Sequence, residues 1–224
     1  MTRRNVARWI WTLVPLILMI LFQAAILTAL NLWAGLAGGL DPRVLFYLPF
    51  LSFLLPLFLV LLWYWRRLQD ETLRLVFTHP DRRWQDVGIG IGLAFLCVML
   101  FLGSLRLLQL LGLATPDFSS FSPAHHIYFA TLGALMPGIG EEIYFRGFLR
   151  KKFEDFRPAG WILITSLSFA FWHILSPSYL LHTFLIGIVL GIAVHRTQRL
   201  LPVIVAHTLT NAAGGLLLLS GWLA

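Results

Sequence analysis

Apolar residues run along this chain in long stretches, and short polar segments that carry most of the arginines and lysines separate them. The apolar stretches are close to the ~20 residues that an α-helix needs to cross a bilayer. A soluble helix would instead repeat its apolar positions on one face only. The pattern predicts seven transmembrane helices, at about residues 9–34, 44–65, 87–111, 125–152, 158–175, 178–196 and 200–223.

Composition supports a membrane protein. Hydrophobic residues make up 58% of the chain and charged residues 12%, which is about half the ~25% charged fraction of a typical soluble domain. We therefore expect an all-α, polytopic membrane bundle in which residues 1–224 form a single integral-membrane domain. The net charge of +7 does not indicate a nucleic-acid partner, because the basic residues lie in short clusters between spans, as topology signals do.

The basic residues also predict an orientation. With the amino terminus inside, 14 of the 17 lysines and arginines fall in inner segments, and only Arg43 falls in an outer one. The remaining two, Arg106 and Arg146, lie within spans. The positive-inside rule therefore predicts an N-in, C-out topology.

Two features of the third span concern packing. Gly88, Gly90 and Gly92 open it with a small-residue spacing that allows close helix contact. Cys97 is the single cysteine and lies in the same apolar run, so we expect it to pack in the core.

The fourth span carries the charged residues Glu141, Glu142 and Arg146. On a helix Glu142 and Arg146 are i and i+4 and share a face, whereas Glu141 points roughly 100° away. The spacing predicts a Glu142–Arg146 pair and leaves Glu141 as the first candidate for chemistry, because a charge inside a membrane is costly. Pro137 and the glycines after it predict a kink just before the glutamates.

Two histidines in later spans share a helix face with an i, i+4 neighbour: His173 with Phe169, and His207 with Asn211. Each histidine alone is compatible with an interhelical hydrogen bond. Together with Glu141, these residue types suit amide hydrolysis without a covalent intermediate. Glu141 with His173 can accept a proton from water, and His207 and Asn211 can donate toward an oxyanion.

A family resemblance rests on the same residues. Glu141-Glu142-x-x-x-Arg146, Phe169-x-x-x-His173 and His207-x-x-x-Asn211 match, in order, the three motifs of the CAAX-protease and bacteriocin-processing (Abi) family. This family includes the type II CAAX prenyl endopeptidases. The resemblance covers about 123–215, a motif-bearing catalytic core, whereas 1–111 resemble the family only in general hydrophobicity and are interpreted as accessory transmembrane helices.

The resemblance implies an all-helical bundle whose active site opens toward the cytoplasm. It implies that Glu141 activates water with His173, that His207 and Asn211 form the oxyanion site, and that Glu142, Arg146 and Phe169 support them. The expected activity is intramembrane endopeptidase cleavage of a membrane-associated protein or peptide, prenylated or leader-bearing, without a metal or other cofactor. The expected location is the bacterial inner membrane.

Alternatives remain at this point. Glu141, Glu142, His173 and His207 are good zinc ligands, although the sequence shows no carboxylates that would orient the histidines. No span outside the fourth offers the second acid of an aspartyl protease, no HExxH motif is present and no rhomboid-like serine site appears. From a different class, a membrane scaffold or transporter could use a buried polar cluster to hold helices or an ion.

Depth along the helices presents a difficulty for His173. Counted at ~1.5 Å per residue from the inner helix ends, Glu141 lies about 13 Å deep, His207 about 10 Å, Asn211 about 16 Å and His173 about 22 Å. The fifth helix must therefore begin deeper, tilt or bend if His173 is to join the cluster.

Overall fold

The computed structural model describes residues 80–113, 126–127, 130–174 and 177–220, together with scattered helical positions between 14 and 32. The chain forms two compact units, residues 1–66 and 67–224. In the first unit the described positions are helical and several, including Leu21 and Leu32, expose apolar side chains. Most of the first predicted span and all of the second lie outside the described residues.

The second unit is helical throughout its regular structure. Its longer helices are α1 Arg83–Leu110, α2 Leu132–Glu142, α3 Pro158–Trp172, α4 Leu180–Thr197 and α5 Leu201–Leu219. A π-helical segment, Ile143–Leu149, follows α2 directly. One 3₁₀ turn precedes α1, and another leads into α4. No described residue forms a β-strand, which confirms the all-α prediction.

Three of these helices, α1, α4 and α5, are long and apolar enough to cross a membrane. They coincide with the spans predicted at 87–111, 178–196 and 200–223. α3 is also apolar but has only 15 residues, fewer than the ~20 that a straight span needs. The count of seven spans and their orientation stay predictions.

The fourth predicted span is not one continuous α-helix. Thr131 interrupts it with a non-helical backbone (φ −122°, ψ −101°), and the Thr131 hydroxyl donates to the carbonyl of Ile127 at 2.7 Å, a local bond that competes with helix geometry. The chain is α-helical through Pro137, and its irregular hydrogen bonding begins after the glutamates instead of before them. The kink predicted from Pro137 stays a prediction.

α5 packs between α1 and α2, and α4 packs against α3 and α1. Glycines allow three close approaches. A Cβ on Gly90 would lie 2.7 Å from the Val205 Cβ, one on Gly138 would lie 2.9 Å from the Thr208 backbone nitrogen, and one on Gly187 would lie 2.9 Å from the Ser166 Cβ. Close contact is thus confirmed for Gly90, whereas Gly88 and Gly92 face open space.

The apolar core of this unit lies where α1, α4 and α5 meet. Cys97 is fully buried there as a free thiol, in a cluster with Leu190, Val194, Val203 and Ala206. Its predicted packing role is confirmed.

Polar pairs close one end of the bundle. Arg199 forms a buried ion pair with Asp86 at 2.8 Å, and Arg150 donates to the Gln198 side chain. The Arg150 guanidinium also lies 5.2 Å from the ring centroid of Trp161 at the start of α3. The start of α1, the residues before α3 and the connection between α4 and α5 therefore lie close together.

Candidate active site

The charged residues of α2 and the π-helical segment are buried completely. Glu141, Glu142 and Arg146 are at most 1% exposed. Nη1 of Arg146 donates to Oε1 of Glu142 at 2.9 Å, which confirms the pair predicted from the i, i+4 spacing. Nη2 of Arg146 also lies within hydrogen-bonding reach of the Gly187 carbonyl, at 3.4 Å, so the pair is tied to α4.

The π-helical segment holds this pair inside the protein. Every residue from Tyr144 to Leu149 is buried, so the segment is enclosed on all sides instead of presenting one apolar face. Its i→i+5 hydrogen bonds place one more residue in each turn than an α-helix has, a departure that occurs frequently at functional sites.

Glu142 has a second partner on α5. Nδ1 of His207 lies 2.8 Å from Oε1 of Glu142. Because this carboxylate is paired with Arg146 and accepts hydrogen bonds, Nδ1 of His207 carries the proton in this contact. Glu142 therefore orients the imidazole, and the expectation that no carboxylate does so was wrong: residues 65 positions apart in sequence give no local signal of contact.

Glu141 stands apart from the Arg146 pair, as its position on the helix predicted. Its Oε1 accepts a hydrogen bond from Nε1 of Trp172 at 3.2 Å. Its Oε2 lies 3.8 Å from Nε2 of His207, beyond hydrogen-bond distance. One oxygen of the carboxylate is thus fixed, and the other faces the imidazole across a short gap.

Phe169 is the centre of the aromatic contacts here. The guanidinium carbon of Arg146 lies 4.4 Å from its ring centroid, within cation–π range. The ring centroids of His173 and His207 lie 5.0 and 5.7 Å from it, both edge-on. Phe169 is therefore packed against Arg146 and both histidines of the motifs.

His173 follows the last residue of α3 as its C-cap. Its Nδ1 lies 2.9 Å from the carbonyl oxygen of Phe169 and so donates to it; in the neutral ring, Nε2 is then the acceptor nitrogen. Asn211 is half-buried on α5, one turn beyond His207 and on the same face. The structure thus brings Glu141, Glu142, Arg146, Phe169 and His207 into one cluster, with His173 joined to it through Phe169.

Trp172 was not predicted from the sequence. A signal was available, because a buried indole N–H requires an acceptor and carboxylates are scarce in these spans. The hydrogen bond to Glu141 brings the end of α3, and with it His173, close to the glutamates. This agrees with the expectation that the fifth predicted helix begins deeper, tilts or bends.

Zinc is a metal that these side-chain types can bind. Nδ1 of His207 contacts Glu142 and Nδ1 of His173 contacts a backbone carbonyl, which are contacts that orient a histidine and leave Nε2 for coordination. A catalytic zinc site usually has three protein ligands, however, and no three His, Cys, Asp or Glu side chains within the described residues are arranged to hold a metal. As arranged, the described residues therefore do not form a zinc site.

The matched motifs lie in a segment that resembles a known protein family. Residues 123–213 match the family model of the type II CAAX prenyl endopeptidase Rce1-like proteins. The matched segment contains all three sequence motifs and the whole cluster around Glu141. No curated protein and no solved structure matches the chain. The match indicates a CAAX-type protease, and with the apolar helices it supports an integral membrane protein.

Proposed function

We propose that this protein is an intramembrane endopeptidase that hydrolyses a peptide bond of a membrane-associated protein or peptide, either prenylated or leader-bearing. One observation carries the proposal. Oε2 of Glu141 and Nε2 of His207 face each other 3.8 Å apart. Each group is also held by a hydrogen bond through its other polar atom: Glu141 accepts one from Trp172, and His207 donates one to Glu142.

Glu141 is the general base. Its ionised Oε2 accepts a proton from a water molecule, and the water oxygen attacks the carbonyl carbon of the scissile peptide bond. His173 assists, because the bond from its Nδ1 to the Phe169 carbonyl presents Nε2 as a second acceptor. Glu141 then delivers the proton to the leaving amine as the tetrahedral intermediate collapses.

His207 and Asn211 stabilise the oxyanion. Donation from Nε2 of His207 requires a ring protonated on both nitrogens, because Nδ1 already donates to Glu142. That proton balances the cluster, since two carboxylates and one guanidinium would otherwise leave an uncompensated buried charge.

The first test is a pair of matched glutamate variants, assayed in proteoliposomes with a fluorescence-quenched peptide bearing a farnesylated cysteine and with an unmodified leader peptide. Glu141→Gln keeps the side-chain shape and should lower the rate at least ~10²-fold. Glu154→Gln alters a half-exposed glutamate paired with Lys151 and should leave the rate unchanged. Full activity of Glu141→Gln would refute the mechanism.

Two further measurements separate the alternatives. A chelator should leave activity intact; inactivation that zinc reverses would favour the metal-dependent protease. Comparison of membrane-protein termini in cells expressing the wild type or Glu141→Gln should show cleavage products only with the wild type. If the termini are identical, the scaffold or transporter alternative is favoured.

A further inference from the structure

We infer that Trp172 is a positioning residue for Glu141: its indole N–H holds one carboxylate oxygen so that the other faces His207. This inference rests on the proposed function, in which Glu141 is the base. Trp172 occupies a variable position of the second motif, directly before His173, and the motif assigns no role to that position.

The contact joins two helices deep in the protein. Trp172 is the last residue of α3 and is fully buried, and Glu141 lies near the end of α2. The indole Nε1–H donates to Oε1 at 3.2 Å. Neither group can form a hydrogen bond with bulk water at this depth. Burial would therefore leave both without a partner, and the bond between them avoids that cost.

The bond also decides which way the carboxylate faces. With Oε1 held by Trp172, Oε2 lies on the side of His207 Nε2. The guanidinium of Arg146 competes for the Glu141 carboxylate. Arg146 lies five residues further along the chain, and its Nε–H has no hydrogen-bond partner among the described residues. A Glu141 released by Trp172 can turn toward this cation and away from the water it should activate.

A matched pair of tryptophan variants tests the role. Trp172→Phe keeps an aromatic ring and removes the N–H. Trp161→Phe makes the same change in a tryptophan that is also buried on α3 but contacts Arg150. Loss of a hydrogen bond to a charged group should lower kcat about 10- to 100-fold in Trp172→Phe with KM unchanged, because the indole holds the base and not the substrate. Trp161→Phe should retain the wild-type kcat.

Infrared difference spectroscopy supplies a readout that does not depend on catalysis. The band lost in Glu141→Gln identifies the Glu141 carboxyl group, and that band should shift in Trp172→Phe but not in Trp161→Phe. An unmoved band overturns the inference whatever the activity is. A shifted band with unchanged kcat also overturns it, because the hydrogen bond would then not position the base.

A double variant excludes a merely structural role. If Trp172 acts through Glu141, adding Trp172→Phe to Glu141→Gln should not lower the residual rate further. A further fall would contradict the inference. If the wild type cleaves neither peptide, the proposed function fails, and the infrared band still decides whether Trp172 fixes Glu141.

Discussion

Oε1 of Glu142 is within hydrogen-bonding distance of two donors, Arg146 Nη1 and His207 Nδ1. A single carboxylate oxygen therefore pairs with the guanidinium of the π-helical segment and orients the imidazole on α5. The stability of the cluster and the direction of His207 depend on the same atom.

Removal of the Arg146 charge should reveal the first of these roles. Arg146→Ala leaves Glu142 buried without its cation, which should destabilise the protein by about 3–5 kcal/mol. The measurement is thermal unfolding of purified protein together with its folded yield in the membrane. Lys151→Ala is the control, because its ion pair with Glu154 is half-exposed and worth at most ~1 kcal/mol. Normal stability of Arg146→Ala would contradict a structural role.

Asn211 should affect rate and not folding. Asn211→Ala removes an oxyanion donor and should lower kcat about 10²–10³-fold, while loss of a polar group from a membrane helix should not impair insertion. Thr210→Val is the neighbouring control, because the Thr210 hydroxyl donates within its own helix to Ala206. Equal rates for the two variants would exclude Asn211 from the oxyanion site.

At the scale of elements, the crossing of α2 and α5 sets the distance between the glutamates and His207. Gly138 lies at this crossing, against the backbone of Thr208. A methyl group there must push the two helices apart, and Glu142 and His207 are one turn or less from the contact.

Gly138→Ala should therefore destabilise the protein by about 1–3 kcal/mol and lower kcat as well. Thermal unfolding and peptide hydrolysis measure the two effects. Gly92→Ala is the matched control: Gly92 is also helical but has open space around it, so alanine there should be neutral or stabilising by up to ~1 kcal/mol. Wild-type behaviour of Gly138→Ala would show that the crossing tolerates a wider spacing.

Local spacing predicted the elements that depend on it. The Glu142–Arg146 pair follows from i, i+4 geometry, and α1, α4 and α5 follow from apolar length. The π-helical segment could not be predicted, because no repeat in the sequence indicates its hydrogen-bond register. The bonds from Trp172 to Glu141 and from His207 to Glu142 join distant residues, so they depend on how the helices pack.

For the whole molecule, the ion pair Asp86–Arg199 and the bond from Arg150 to Gln198 join segments that the positive-inside rule assigns to the cytoplasm. Their proximity is consistent with the charge distribution, since joined segments must share a side. Charge counting predicts such sides, but it contains no information on helix tilt or bending, so the sequence left three arrangements open for the helix that carries His173.

The orientation itself is open to direct measurement. A reporter fused after Lys152 should be cytoplasmic, and one fused after Ala224 should be external, because 14 of the 17 basic residues lie in the predicted inner segments. A cytoplasmic reporter at Ala224, with the Lys152 fusion as control, would overturn the N-in, C-out topology.

The shared ring of Phe169 has a consequence for how this sequence can evolve. Arg146, His173 and His207 all contact that one ring, so a change in any of them alters the surroundings of the other two. Residues that share a partner show coupled, non-additive mutational effects of about 0.5–3 kcal/mol. We therefore expect the effect of a substitution at one of these three positions to depend on the residues at the other two. A replacement that is neutral in one sequence background is then harmful in another, so the three positions change together in evolution.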